Sequence, residues 1–88
     1  MHRADARAVV NRCLIEVDIQ HSDLLGGHEH LVRDLRVSGD DLSYVFIPMV
    51  QKLTGMQGTC DDWKRTGTID QVVDLIVRYT SDQGFPPK

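Results

Sequence analysis

At 88 residues the chain can hold one domain with a single modest core, burying about 60–65% of the surface that its unfolded form exposes. Hydrophobic residues make up 41% and charged residues 26%, a balance that excludes a disordered segment, and a net charge of −3 without a basic stripe excludes a nucleic-acid binder. No apolar run is long enough to span a membrane and no charged-then-apolar leader is present, so the expectation is a cytoplasmic protein without membrane contact.

Cys13 and Cys60 are too few and too far apart for a disulfide framework, and both read as reduced thiols, Cys13 inside an apolar helical pattern and Cys60 in a loop.

The first element is a helix over about residues 5–19. Ala6, Val9, Val10, Cys13, Leu14 and Val17 follow helical spacing, with Arg7, Asn11, Arg12, Glu16 and Asp18 on the remainder. A long connection follows over 20–39, with Gly26-Gly27 as a turn and Leu24, Leu25, Leu31, Val32 and Leu35 as apolar anchors. A short turn of helix around 27–32 fits there too.

The second helix is expected over about 41–54. Leu42, Val45, Phe46, Met49, Val50 and Leu53 recur at i, i+3, i+4, i+7. Asp40 is the expected N-cap, Gly39 the sharp entry before it, and Asp41 a second negative charge at the positive end of the helix dipole. Leu42 to Ile47 is also rich in strand formers, but the apolar spacing continues past Pro48 and no other segment offers a strand partner, so helix is the reading. Pro48 removes the bond to the Tyr44 carbonyl, a cost of ~3 kcal/mol unless the helix kinks.

Gly55 ends this helix near its cap position, and residues 60–64 form a short helical turn whose Trp63 covers the end of the core. Thr68-Ile69-Asp70-Gln71 is a capping box, and the last helix then buries Ile69, Val72, Val73, Ile76 and Tyr79 on one face. The segment 81–88, with Gly84 and Pro86-Pro87, is expected to be a disordered tail to a single domain over 1–80.

The central run resembles the core motif of acyl carrier proteins. Arg33-Asp34-Leu35 is similar to the Glu-Asp-Leu-type segment of that family, and Asp40-Asp41-Leu42 to the Asp-Ser-Leu that opens its second helix. The spacer Arg36-Val37-Ser38-Gly39 is about two residues longer than usual, and the Gly-Asp-Asp form also resembles a group of small bacterial acyl-carrier-like proteins. The resemblance implies an all-α fold of three main helices plus a short one, in which a long first loop is pinned by apolar anchors. It also places the serine that carries 4'-phosphopantetheine at Asp41, and a carboxylate cannot be phosphopantetheinylated.

Asp40 and Asp41 as a catalytic carboxylate pair would need burial to push their pKa values apart, which the exposed start of a helix does not give, so no enzyme activity is expected. Asp41 can instead place a permanent negative charge where the modified serine's phosphate would lie. Ser38 and Ser43 flank the lost position and are the alternative attachment sites. His21, His28 and His30, with Asp23 and Glu29, lack the cysteine pairs or helical spacing of a zinc signature and read as a solvated loop, so no metal is expected.

Tyr44, Ile47 and Pro48 fall away from the core stripe, which leaves the second helix apolar almost all round. In the family this helix is typically acidic and docks on basic patches; here no acid follows Asp41 until Asp61, and Lys52 is basic. The expectation is therefore a carrier-shaped module without a prosthetic group. It acts through a protein partner or self-association at the second helix; the alternative is a true acyl or aminoacyl carrier modified at Ser43 or Ser38.

Overall fold

A computed structural model describes residues 1–20 and 25–84, the last four by backbone alone. The protein is mostly helical, and among the described residues there is no strand. Helix α1 spans Arg3–Glu16. Helix α2 is built of three consecutive segments, an α turn at Gly39–Asp41, a π turn at Leu42–Phe46 and an α segment at Ile47–Thr54. Helix α3 is Cys60–Arg65 and helix α4 is Ile69–Gly84. The all-α expectation holds.

The apolar stripes of three helices meet in one core. Helix α1 supplies Ala6, Val10, Cys13 and Leu14, α2 supplies Phe46 and Val50, and α4 supplies Ile69, Val72, Val73, Leu75 and Ile76, with Met56 between α2 and α3. Phe46 is the largest of the fully buried side chains, and α1 packs against both α2 and α4 around it. Leu31 and Val37 of the long connection close the core from the side, whereas Val32, expected as an anchor, is 47% exposed. Leu53 at the end of the α2 stripe is likewise exposed.

The long connection is held by the start of α4. The Leu31 N–H donates to the Gly67 carbonyl (2.7 Å), the Ile69 N–H to the Glu29 carbonyl (3.3 Å) and the Asp70 N–H to the Gly27 carbonyl (2.8 Å). His30 and Thr68 form an isolated antiparallel bridge at the same place. These contacts satisfy backbone groups that would otherwise be orphaned at a helix N-terminus. Among the described residues of this connection a helical turn lies at 31–34 rather than 27–32: the Asp34 and Leu35 N–H groups both donate to the His30 carbonyl (2.9 and 3.0 Å).

Pro48 is accommodated without a break. The Ile47 N–H reaches back to the Leu42 carbonyl, an i to i−5 bond that widens the turn just before the proline. A proline clashes with the carbonyl four residues earlier, here Tyr44, and a π turn at that point gives the ring room. Gly55 then closes α2 in the left-handed region (φ 76°), its N–H on the Gln51 carbonyl at 2.8 Å, as its position in the sequence suggests.

Several sequence expectations change. Helix α1 lies two to three residues earlier than the 5–19 pattern suggests, because Asp18 adopts a left-handed φ of 68° and turns the chain. Ser38, not Asp40, is the N-cap of α2: its backbone is extended and its hydroxyl accepts the Asp41 N–H at 3.1 Å. Asp40 already has its place inside the first turn. Gly39 does not make the sharp entry either; Arg36 does, at a φ of 58°. Cys60 opens helix α3 rather than sitting in a loop. Helix α4 continues through Gly84, into the expected tail, of which 85–88 lie outside the described residues.

Two glycines therefore differ sharply in what they tolerate. Gly27 has a φ of 109°, and a Cβ there would sit 2.2 Å from the Asp70 Oδ1, whereas a Cβ on Gly39 meets nothing within 4 Å. Gly27→Ala is expected to lower stability by roughly 1–3 kcal/mol. Gly39→Ala is expected to raise it by about 0.4–1 kcal/mol, through loss of unfolded-chain entropy. Urea midpoints of the two variants measure both signs.

Candidate functional site

One open groove of about 860 Å³ runs between the inner edge of α2, helix α3 and the turn after His30. Its apolar floor comes from Leu42 and Ile47 of α2 and Trp63 of α3, with Val32 at the rim. Polar and cationic groups line the rest, among them Ser43, Cys60, Arg33, Lys64 and Arg65. No aspartate or glutamate is among its lining residues.

The groove wall is fixed by one amide. Gln51 Oε1 accepts the Gly58 N–H at 3.1 Å and the Trp63 Nε1–H at 3.3 Å, so a side chain of α2 holds both the following loop and the indole of α3. A Cβ on Gly58 would stand 2.8 Å from that indole nitrogen, which is why the loop passes Trp63 at a glycine. Helix α3 starts on a full capping box: the Thr59 hydroxyl accepts the Asp62 N–H (3.1 Å) and the Asp62 carboxylate accepts the Thr59 N–H (3.3 Å). Asp62 also accepts hydrogen bonds from the Tyr79 hydroxyl and, at 3.1 Å, from Arg78 Nη2, which ties α3 to α4. The Tyr79 hydroxyl, then the Thr59 N–H and the Arg78 guanidinium, hold the Asp62 carboxyl down at about 2.

The opposite wall depends on His30. Its Nδ1 accepts the N–H groups of Val32 and Arg33, each at 3.1 Å, so the ring hydrogen sits on Nε2. The Nε2 edge faces Gly67, where a Cβ would approach to 2.5 Å. His30 is thus a turn-forming residue at the groove's edge, and His28 is exposed on the loop. The Glu29 carboxylate accepts the Gly27 and Gly26 N–H groups (2.9 and 3.2 Å), and these bonds, Gly27's above all, hold it below the usual carboxylate range. Among the described residues no group of histidines, cysteines and carboxylates could hold a metal ion; His21 lies outside them.

The residues singled out at the start of α2 separate. Asp40 and Asp41 are both exposed in its first turn, and neither lines the groove. The Ser38 hydroxyl is engaged as the cap, while Ser43 is exposed and opens into the groove. Tyr44, 78% exposed, and Pro48 face solvent. Ile47 is not part of that outer face: it is half-buried, packed against the core and part of the groove floor. The π turn explains the shift, because a wider turn changes the angular step between residues 42 and 47. The convergence of Arg33, Lys64 and Arg65 leaves no pattern in the sequence, since they lie on two segments joined only by the fold.

No family model, curated protein or solved structure matches the chain. Among the described residues no helix is long and apolar enough to cross a membrane.

Two outcomes follow from these environments. Cys13 is fully buried and its thiol is pushed up to about 11 by that burial, while Cys60 is exposed. A thiol reagent is expected to modify Cys60 alone in the folded protein, and Cys13 only on unfolding, as mass spectrometry before and after denaturant will show. Asp62, with its pKa below the ordinary 3.8, contributes stability that is complete above about pH 4 and is lost as pH falls through about 2. The stability gap between the native protein and Asp62→Asn, read from urea midpoints, is therefore expected to close over that interval. A gap unchanged with pH would remove the carboxylate's role.

Proposed function

We propose that the protein is a non-catalytic interaction module of acyl-carrier-like shape that works without a prosthetic group. The observation carrying this reading is the start of α2: the position that corresponds to the attachment serine is Asp41, exposed in the first helical turn beside Asp40. A carboxylate there supplies fixed negative charge at a helix N-terminus and offers no hydroxyl for phosphopantetheine. The outer face of the same helix presents Tyr44 and Pro48 to solvent one turn apart, an aromatic and an apolar ring of the kind that partner surfaces use. The partner is a protein, either a different chain or a second copy meeting this face.

A second reading, a carrier of acyl or aminoacyl groups, draws its support from Ser43, whose exposed side chain opens into a groove large enough for a small arm. Ser38 is the weaker candidate because its hydroxyl caps α2.

Intact mass after incubation with coenzyme A and a broad-specificity phosphopantetheinyl transferase separates the two. The expected result is an unchanged mass, in the same tube as an ordinary acyl carrier protein that gains one phosphopantetheine. A gain that disappears in Ser43→Ala or Ser38→Ala would establish the carrier reading instead. Light scattering at high concentration addresses the choice of partner: dimers that Tyr44→Ala dissolves assign self-association to this face, and a strict monomer counts against self-association.

A further inference from the structure

The groove behind the outer face of α2 carries an electrostatic signature of its own. On a chain of net charge −3, three cations line one concavity whose lining holds no carboxylate. Among the described residues the ion pairs are made by Arg3 and Arg78, and neither Arg33, Lys64 nor Arg65 stands within ion-pair distance of an acid. Arg65 also borders a smaller cleft that contains Asp62 and Asp74, which leaves Arg33 and Lys64 as the cations that face the groove alone. These two come from separate segments that line the same groove, Arg33 from the His30 turn and Lys64 from α3. Between them lies the apolar floor of Leu42, Ile47 and Trp63.

A concavity with an apolar floor and unpaired cations contributed by separate segments is complementary to a ligand that is apolar along one side and anionic along the other. We propose that this groove binds an acidic amphipathic peptide segment of a partner protein, seating an apolar side chain against Trp63 and Ile47 and its carboxylates on Arg33 and Lys64. The proposal rests on reading the chain as a protein-binding module and adds a second surface to it, of opposite charge to the Asp40–Asp41 end of α2. A peptide suits the site better than a nucleic-acid strand, because one aromatic and three cations on an otherwise acidic chain do not make the continuous basic track that a phosphate backbone needs.

Trp63 is the chain's single tryptophan and lines the groove, so its emission reports occupancy directly. The experiment titrates the full chain with a synthetic peptide of glutamate and leucine at helical spacing, and in parallel with its lysine counterpart, with decanoate and with a single-stranded oligothymidylate. The expected result is a saturable Trp63 shift with the acidic peptide alone. It should weaken with added salt and fall at least about tenfold in affinity in the Arg33→Glu, Lys64→Glu double variant. Both positions are exposed, so circular dichroism should be unchanged, and Arg33→Lys, which keeps the charge, should bind nearly as the native chain does.

No saturable shift, an equal response to the lysine peptide, or undiminished binding by the charge-reversed variant would overturn the proposal. So would a response to decanoate or oligothymidylate without one to the acidic peptide, or a Trp63 shift with protein concentration alone, which would assign the groove to a second copy. The mass assay keeps the two readings apart. An unmodified chain that binds no acidic peptide leaves the module and removes the groove; a phosphopantetheinylated chain removes the module, and the titration of the unmodified protein still decides the groove.

Discussion

The fold depends on the seam between the long connection and the start of α4. Three backbone hydrogen bonds lie along it, two of which make up the His30–Thr68 bridge, and they link segments about forty residues apart in sequence. Loop closure over such a distance costs entropy that grows only slowly with length, but the fixed geometry must then be specified locally. Gly27 does this on one side, with a φ and a close approach to Asp70 that no other residue accommodates; Gly67 does it on the other by admitting the His30 ring. The seam carries Leu31 and Val37 into the core, turns the chain at Arg36, and delivers Ser38 to cap α2. Without it neither the entry to α2 nor the wall of the groove would have a defined position.

The π turn in α2 is the second constraint, and it is local. Pro48 would leave the Tyr44 carbonyl without its usual partner and crowd it, and the chain answers by lengthening one turn rather than by ending the helix. The consequence is a change of phase along α2. Phe46 and Val50 remain fully buried, yet Ile47 rotates toward the groove while Tyr44 and Pro48 stay in water. A single proline thus divides what looks like one apolar outer face into an exposed patch and a groove floor.

The helices were legible because their apolar residues repeat at helical spacing, and the buried residues of α1 and α4 are largely those that the spacing picks out. The Thr68–Gln71 capping box was legible for the same reason, as both limbs are encoded within four residues; Gln71 accepts the Thr68 N–H at 3.0 Å and the Thr68 hydroxyl accepts the Gln71 N–H at 3.2 Å. The cap of α2 was misplaced because Ser38, Asp40 and Asp41 are all good capping residues, and which one caps depends on where the preceding turn releases the chain. Ile47 was misassigned because helical-wheel arithmetic assumes a uniform step. The groove could not be read at all: Arg33 and Lys64 come together only through the seam and the Asp62–Tyr79 tether of α3, neither of which leaves a periodic signal.

The charges around α2 and the groove have different physical origins. Asp40 and Asp41 sit where a helix favours anions, and that placement stabilises a first turn by about 0.3–1 kcal/mol per charge without any partner. Structure alone therefore accounts for the acidic end. Of the groove's cations, Lys64 and Arg65 lie in the last turn of α3, where a helix favours positive charge, so the same dipole argument covers them and leaves Arg33 aside. Arg33, in the turn after His30, lies on no helix, and neither it nor Lys64 pairs with an acid among the described residues or borders the smaller acidic cleft. Cations without an acidic partner among the described residues, gathered over an apolar floor, are what a ligand of opposite charge complements most simply.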